Sequence, residues 1–561
     1  MEQKKRDRIL ILGAGVMQGP AIRIAKEMGL ETVVVDADPQ APLAAQADRF
    51  ERIDLKDKEG IEALGRSLIA QGGLSGVMTA GTDFSPTVAW VAEKLSLPGI
   101  PYETALDAQD KERMRRRFKA AGVPSPEFTI LTSPPGEDFA LPFAYPVVVK
   151  PVDNMGARGC RRADTPEELG NAVTDALAYS RSGRAIVEEY MPGPEFSADA
   201  IVSEGEVVIC GLADRHIFFP PYFIEMGHTM PANLDTKTAG ALLNAFILGI
   251  RALGITRGAA KGDIKLTPRG PMIGEIAARL SGGYMSGWTY PYASGAEPAR
   301  GAILVALGKK PEGITPLKSW TSAERAFISI PGRVKSFTGL EEARALPFVR
   351  DLFLRVRAGS RVNFPVNNVT KCGNVISAAP GRDDAVAAAE KAARMVLIRL
   401  EAPDEETEGF LFPPAPAGPR PLGVSSFQGY PPDSFALPEE IRRRLLLLPE
   451  PDYPSVPGDM PDLSLFPFPE FTGSGLLDYT GRTIAESLEA LRALTGLPLP
   501  LCGGPERGSP GSGIGGGSAG TGPGKGFFLG RRFWTAFIRG GYQGGAYAAD
   551  SFLWELKHRR E

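Results

Sequence analysis

The chain has 561 residues, 43% hydrophobic and 23% charged, with a formal net charge of −3. That length exceeds one core and implies roughly two to four domains, and the charge lacks the basic excess that a nucleic-acid partner leaves. No apolar run approaches the ~20 residues of a membrane span; four cysteines without a close pair, and only three histidines, argue against a disulfide framework or a Cys/His metal site.

The start, MEQKKRDRILILGAGVMQGPAI, sets a basic flank before a short apolar run, as a secretory leader does. The run passes into a glycine turn with no cleavage-like site, so it reads as the first strand of a cytoplasmic protein. Gly13 and Gly15 after that strand, and Asp36 at the end of TVVVDAD, resemble a dinucleotide-binding turn and its ribose acid. Gly19, however, comes one position later than G-x-G-x-x-G requires. The strands RILILGAG, ETVVVDAD, ERIDL and GVMTAGTD alternate with helical patterns, which predicts a parallel, doubly wound α/β domain. A helix is expected from near Asp107 to Gly122, where glycine and two prolines end it.

From Tyr145 to about residue 300, β-rich stretches with two helical insertions read as α+β. Residues 310 to 400 read as a further compact unit ending in an amphipathic helix. Proline then dominates, and half of residues 503–526 is glycine; that segment is expected to be disordered, because it holds too little apolar surface to offset ordering. Its GPGKG is not a phosphate loop, since Gly526 follows Lys525 where Ser or Thr is needed. The final stretch from Phe527 is aromatic enough to pack onto something.

Three separated pieces carry chemistry. YPVVVKP ends a strand at Lys150 and leads into VDNMGARGC, a glycine loop with Arg158. A lysine beside such a loop suits a polyphosphate, although an ordinary hairpin has the same look. AIVEEYMPGPEF follows, with Glu195 able to accept ribose hydroxyls or simply to decorate a surface turn. In GDIKLTPRGPMIGEIAAR, Asp263 and Glu275 flank a turn and could share one face, either as Mg²⁺ ligands or as a solvated pair. Arg279 lies four residues on, placed to neutralise charge on a transferred phosphoryl group. For an acceptor, Asp83 ends a strand at the carboxyl edge of the first sheet. YFIEMGHTM supplies Glu225 and His228, the latter equally readable as a structural histidine, and RLSGGYMSG supplies Gly282 and Gly283.

In this order, with DKERM before them, the pieces resemble the ATP-grasp superfamily over roughly residues 8 to 400. The branch is that of carbamoyl-phosphate synthase large chain, biotin carboxylase, carboxyaminoimidazole ribonucleotide synthetase and L-amino-acid ligases. DADPQAPLAAQAD and NNVTKCGNVISAAPGRDDAVAAAEKA are similar to parts of the same branch. The resemblance implies an α/β and α+β multidomain chain: a Rossmann-like pre-ATP-grasp domain (1–110), an ATP-grasp domain (111–310) with a lid at about 140–200 and a C-terminal subdomain (311–402); the Pro/Gly-rich extension (403–561) matches none of these enzymes.

It also implies roles. Lys111 and Lys150 would contact ATP phosphates beneath the loop of Asn154, Gly156, Arg158 and Gly159. Backbone groups of Glu188 and Met191 would hold adenine and Glu195 the ribose. Asp263 and Glu275 would hold Mg²⁺ or Mn²⁺, and Arg279 would stabilise an acyl phosphate. Asp83, Glu225, His228, Gly282 and Gly283, with the turn at Gly13 and Gly15 as an anion-binding wall, would face a small carboxylate and an amine. Two departures stand out: Ala277 replaces the asparagine of E-x-N-x-R, and Lys261 precedes Asp263 where amino-acid ligases often carry histidine. A carboxylate–amine ligase is the expected function. A bicarbonate-activating carboxylase or carbamoyl-phosphate-synthase-like enzyme, a nicotinamide oxidoreductase, and a non-catalytic ATP sensor or scaffold stay open, as does a homodimer.

Overall fold

A computed structural model of the chain describes residues 7–413 except 137, together with 443, 445–446, 484–495 and 530–558. The segment 503–526, expected to be disordered, lies outside the described residues.

β1 (Arg8–Leu12), β2 (Glu31–Asp36), β3 (Arg49–Arg52) and β4 (Gly76–Thr79) form a parallel sheet in the order β3-β2-β1-β4. Its central strands are buried, as unbroken apolar runs between crossover helices require. This is the doubly wound unit that the alternation predicts.

The single helix expected from Asp107 is two helices, Tyr102–Gln109 and Lys111–Ala121, broken at Asp110. Asp110 caps the second: its carboxylate accepts from Arg113 N at 3.1 Å, and it is also held by Arg184 at 2.5 Å. The break sets Lys111 at the first helical position, where its N–H donates to Val152 O at 2.8 Å.

β5 (Phe128–Leu131), β6 (Val147–Pro151), β7 (Arg161–Ala163) and β8 (Ala185–Glu189) make a small antiparallel sheet, ordered β5-β8-β6-β7. The helix Pro166–Tyr179 covers it with Leu169, Ala172, Val173 and Ala176. Next come β9 (Glu195–Ser203), β10 (Glu206–Phe218), β11 (Ile224–Met230), β12 (Gly258–Thr267), β13 (Gly270–Ala277), β14 (Thr321–Phe327), β15 (Gly332–Thr338), β16 (Val349–Leu354), β17 (Arg361–Val362), β18 (Gly373–Ala379) and β19 (Leu397–Leu400). Eight of these form one antiparallel sheet, β13-β12-β9-β10-β11-β14-β18-β16, and β17-β15-β19 a second. The large sheet therefore runs continuously from the 111–310 region into the 311–402 region.

The third unit does not close at residue 402. The helix Glu405–Leu411 and the segment Arg531–His558, two helical stretches meeting at a kink at Gly541, pack on β15 and β19, burying Phe410, Phe533, Trp534, Phe537 and Tyr547 among Ile330, Val334, Ile398 and Leu400. Gln543, just past the kink, spans the seam: its amide donates to Ile398 O and accepts from Ile330 N. Among the described residues no helix is long and apolar enough to cross a membrane.

Candidate active site

A cavity of about 840 Å³ lies between the small sheet, the large sheet, the first domain and the C-terminal subdomain. Ten lysines and arginines and seven carboxylates line it, an excess of positive charge that suits a polyanion. Of the residues that the sequence marks, all but Gly13 and Gly159 are in its wall.

Lys111 Nζ donates to Asn154 O at 2.8 Å and lies 3.6 Å from Glu275 Oε1, so it bridges the glycine loop and the hairpin carboxylate. Lys150 on β6 meets Glu188 on β8 at 2.7 Å, and Arg115 takes the other oxygen of Glu188 at 2.8 Å. Burial opposes ionisation of Glu188, but Arg115 and Lys150 outweigh it and keep its pKa below the ordinary value. The sequence reading gave only the backbone of Glu188 a task; the side chain fixes the rotamer of Lys150. In the loop, Asn154 Oδ1 accepts from Arg158 Nη1 at 3.0 Å and from Met155 N at 2.9 Å, and Gly156 adopts φ +69°. Gly159, also at positive φ, packs on Tyr179 and Ala176 and shapes the loop from outside the cavity. Glu195 pairs with Arg215 and lies 3.8 Å from Lys265, whose Nζ donates to Met191 O at 3.1 Å.

Asp263 and Glu275 are cross-strand partners on β12 and β13, so they share a face of the hairpin, with a bulge just after Asp263. Asp263 accepts from Ser197 Oγ at 2.8 Å, pairs with Lys261, and lies 3.4 Å from Arg215. Burial raises its pKa, but Arg215 and Lys261 prevail and bring it to about 2. Glu275 is likewise lowered, burial being overcome by Lys111 and Lys150. Ala277 is the cross-strand partner of Lys261 and offers no ligand atom. Among the described residues no group of three side chains forms a metal cage. Two ionised carboxylates on one face do fit Mg²⁺, which takes one or two protein carboxylates and completes its shell with water and phosphate. Arg279 lines the cavity with Nη1 on Leu280 O at 3.0 Å.

On the acceptor side, Glu225 meets Arg215 at 2.9 Å and His228 at 3.7 Å, and His228 Nδ1 lies 3.1 Å from Glu324. Glu225 is held well below the usual carboxylate range, burial being offset by His228, Arg215 and Lys371. A Cβ on Gly283 would sit 3.0 Å from His228 and 3.1 Å from Glu225, so only glycine leaves this wall open. Gly81 and Gly282 touch where the first domain joins the hairpin: Gly81 N donates to Leu280 O at 3.2 Å, and a Cβ on Gly81 would meet Gly282 Cα at 3.0 Å. Asp83 stands beside this junction, 3.6 Å from Arg181, and burial raises its pKa.

The anion-binding wall expected at Gly13 and Gly15 is not formed there. Gly13 N donates to Val35 O at 2.8 Å, Ala14 N to Asp36 Oδ2 at 2.9 Å, and Gly15 N to Gln18 Oε1 at 2.9 Å. These three donors are taken by the chain itself, and Asp36, standing where a ribose acid would, is the acceptor for Ala14. Gly15 still lines the cavity; Gly13 does not.

Nothing in the sequence alone marks as site residues Arg115, Arg215, Lys265, Asn368 and Lys371, which the fold brings to or beside the cavity. Arg215 sits in LADRHIFF on a strand whose alternation marks an inward cation, but nothing local says what it faces. Lys371 and Asn368 arrive from more than 140 residues beyond Glu225, which only tertiary structure reveals.

A cavity between a small sheet and a large antiparallel sheet, with lysines on one side and paired carboxylates on the other, is the arrangement of an ATP-grasp fold. Residues 143–287 match the ATP-grasp domain, and residues 326–401 match the L-amino acid ligase C-terminal domain 2. An uncharacterised protein, y4rH, of Sinorhizobium fredii is 25% identical over 376 residues, covering 65% of this chain and 77% of its own length. Carnosine synthase 1 of Gallus gallus is 26% identical over 331 residues, 54% of this chain; the match spans only 36% of that protein. The crystal structure of the L-amino acid ligase from Bacillus licheniformis shares the fold, with a TM-score of 0.62 at 22% identity, covering 71% of this chain and all of that one. The chain carries an ATP-grasp domain, and the proteins it resembles include ATP-dependent ligases such as carnosine synthase and D-alanine–D-alanine ligase.

Proposed function

We propose that the chain uses ATP to join a small carboxylate to an amine through an acyl phosphate. Lys111, Lys150 and Arg158 hold the phosphates, Met191 and Glu195 flank the nucleoside, and Asp263 with Glu275 holds Mg²⁺. The metal supplies charge neutralisation between the phosphates. A carboxylate oxygen attacks the γ-phosphorus and the bond to the ADP oxygen breaks. The amine nitrogen then attacks the acyl carbon, its C–O bond to phosphate breaks, and phosphate leaves while the nitrogen loses a proton. Arg279 offsets charge on the transferred group, and the protein's work is positioning and electrostatics.

The observation that carries this reading is the convergence, in one cavity, of Lys111, Lys150, Asp263, Glu275 and Arg279 with the Glu225–His228 wall. The likeness to an L-amino acid ligase supports an amino-acid-like acceptor. The test is ADP release with Mg²⁺ and pairs of the twenty common amino acids, against bicarbonate. Release that needs both a carboxylate and an amine supports the ligase. Release with bicarbonate alone points to a carboxylase. ATP binding without turnover on any carboxylate overturns the reading in favour of a sensor.

A further inference from the structure

One short loop of the C-terminal subdomain, Asn367–Lys371, touches both halves of the reaction. Asn368 Oδ1 accepts from Glu225 N at 2.7 Å, and Lys371 Nζ donates to Glu225 O at 2.6 Å, so the loop grips the backbone of Glu225 from both sides. The same Asn368 gives its N–H to Gly156 O, in the glycine loop, at 2.9 Å. Its own carbonyl accepts from Arg355 at 3.2 Å. Asn367 is buried and its Oδ1 accepts from Val369 N at 2.9 Å, which fixes the turn; the Val369 side chain lies 3.3 Å from the point where a Cβ on Gly156 would stand. Gly156 sits at φ +69°, so its carbonyl is aimed by a backbone conformation that few residues share.

We infer that Asn368 is a positioning residue that ties closure of the phosphate loop to the acceptor wall: the side chain reads the place of Glu225 and the backbone latches Gly156. This rests on the proposed reading of the cavity. A group that orders Glu225 orders Asn368, and through it the loop over the nucleotide; by linkage, the closed loop in turn favours the ordered wall. The consequence is that ATP is gripped best when the acceptor side is in order, which limits cleavage of ATP by water.

The test uses the full chain and a Mg²⁺ complex of an ATP analogue with an imido bridge between the β- and γ-phosphates. Asn368→Ala removes the bond to Glu225 but keeps the N–H toward Gly156. It is expected to weaken analogue binding about tenfold and to speed hydrogen exchange at residues 154–159, far from the substituted side chain's own partner. Asn368→Asp keeps an acceptor oxygen at the same reach and should restore both. If Asn368→Ala does not fold, Asn368→Ser, whose hydroxyl falls short of Glu225, takes its place. A folded Ala or Ser variant with loop exchange and analogue affinity within about twofold of the parent overturns the inference while leaving the ligase reading intact. Failure of the parent protein to bind the analogue overturns both.

Discussion

Asp263 and Glu275 stand opposite each other across β12 and β13, and each is engaged by a lysine from a different direction: Lys261 on Asp263, and Lys111 3.6 Å from Glu275. The pair is therefore ionised and neutralised at once. Asp263 and Glu275 would hold a divalent cation that neutralises phosphate charge, and Lys261 and Lys111 balance the two carboxylates without it. Glu275→Gln removes one anionic ligand and releases Lys111 from its partner. The expected result is a loss of turnover of about a hundredfold or more with a rightward shift in the Mg²⁺ dependence of ADP release. A variant with the parent's Mg²⁺ curve would exclude Glu275 as a metal ligand.

Glu188 holds two buried or nearly buried cations, Arg115 at 2.8 Å and Lys150 at 2.7 Å. Removing one member of such a group leaves an uncompensated charge, which costs about 3–5 kcal/mol. Glu188→Ala should therefore lower the urea midpoint strongly, because Arg115 is almost wholly enclosed. Lys150→Met should cost less stability, since Arg115 still pairs with Glu188, and should act mainly on nucleotide affinity. Equal midpoints for Glu188→Ala and the parent would contradict this.

His216 gives the acid limb of stability. Burial, with Arg325 and His228 nearby, pushes its pKa from 6.5 to about 3, and its Nε2 lies 2.9 Å from Thr229 Oγ1. Between those two values the unfolded chain binds a proton that the folded one does not. Stability is then fully present above pH 6.5 and falls as the pH drops toward 3, by up to about 1.4 kcal/mol per pH unit. Urea midpoints measured at pH 7 and pH 5 should fall further for the parent than for His216→Gln. The same fall in both would assign the acid sensitivity to other groups.

The glycine turn makes a negative test. With Gly13 N–H on Val35, Ala14 N–H on Asp36 and Gly15 N–H on Gln18, the donors of the glycine turn itself are engaged within the chain. NADH should show no fluorescence change on adding the protein. Asp36→Ala should lower stability by about 1–3 kcal/mol, the cost of leaving a donor unpaired, without altering ATP-dependent turnover. NADH binding lost in that variant would restore the dinucleotide reading.

The parts of this molecule that follow from local pattern are legible in the sequence. The parallel strands show as apolar runs because both faces are covered, and the hairpin at Asp263 and Glu275 shows because a turn of Thr267 to Gly270 fixes its register. The order VVVKP, EEYMPGPE and GEIAAR marks the cavity because each stretch brings its own residues to one wall. What stays hidden is long-range pairing. Asp36 looks like a ribose acid until the structure turns it toward Ala14, and the 143-residue separation of Glu225 and Asn368 has no signature in either stretch. The break at Asp110 depends on Arg184, likewise remote.

The segment Arg531–His558 is the last case, since the sequence shows that it is aromatic enough to pack onto something but not onto what. Its burial identifies the partner. Phe533, Trp534, Phe537, Ile538, Tyr542 and Tyr547 are each about 3% exposed or less, and all but Tyr542 belong to one core with Ile330, Ile398 and Leu400. Large apolar side chains contribute about 1.5–3 kcal/mol each when buried, so six of them rival the ~5–15 kcal/mol that separates a folded domain from its unfolded chain. Its polar groups are also committed: Asp550 pairs with Arg399 on β19, and Tyr547 OH lies 2.9 Å from Glu408. Deleting residues 530–561 should uncover the back of β15 and β19, giving a protein that binds a hydrophobic dye and melts earlier or fails to stay in solution. Because β18 of the large sheet precedes the loop to β19 and carries the Asn367–Lys371 turn just before it, nucleotide affinity should fall with the same truncation. A soluble deletion variant with the parent's melting temperature and dye response would show that the helix is an accessory to the subdomain rather than part of its core.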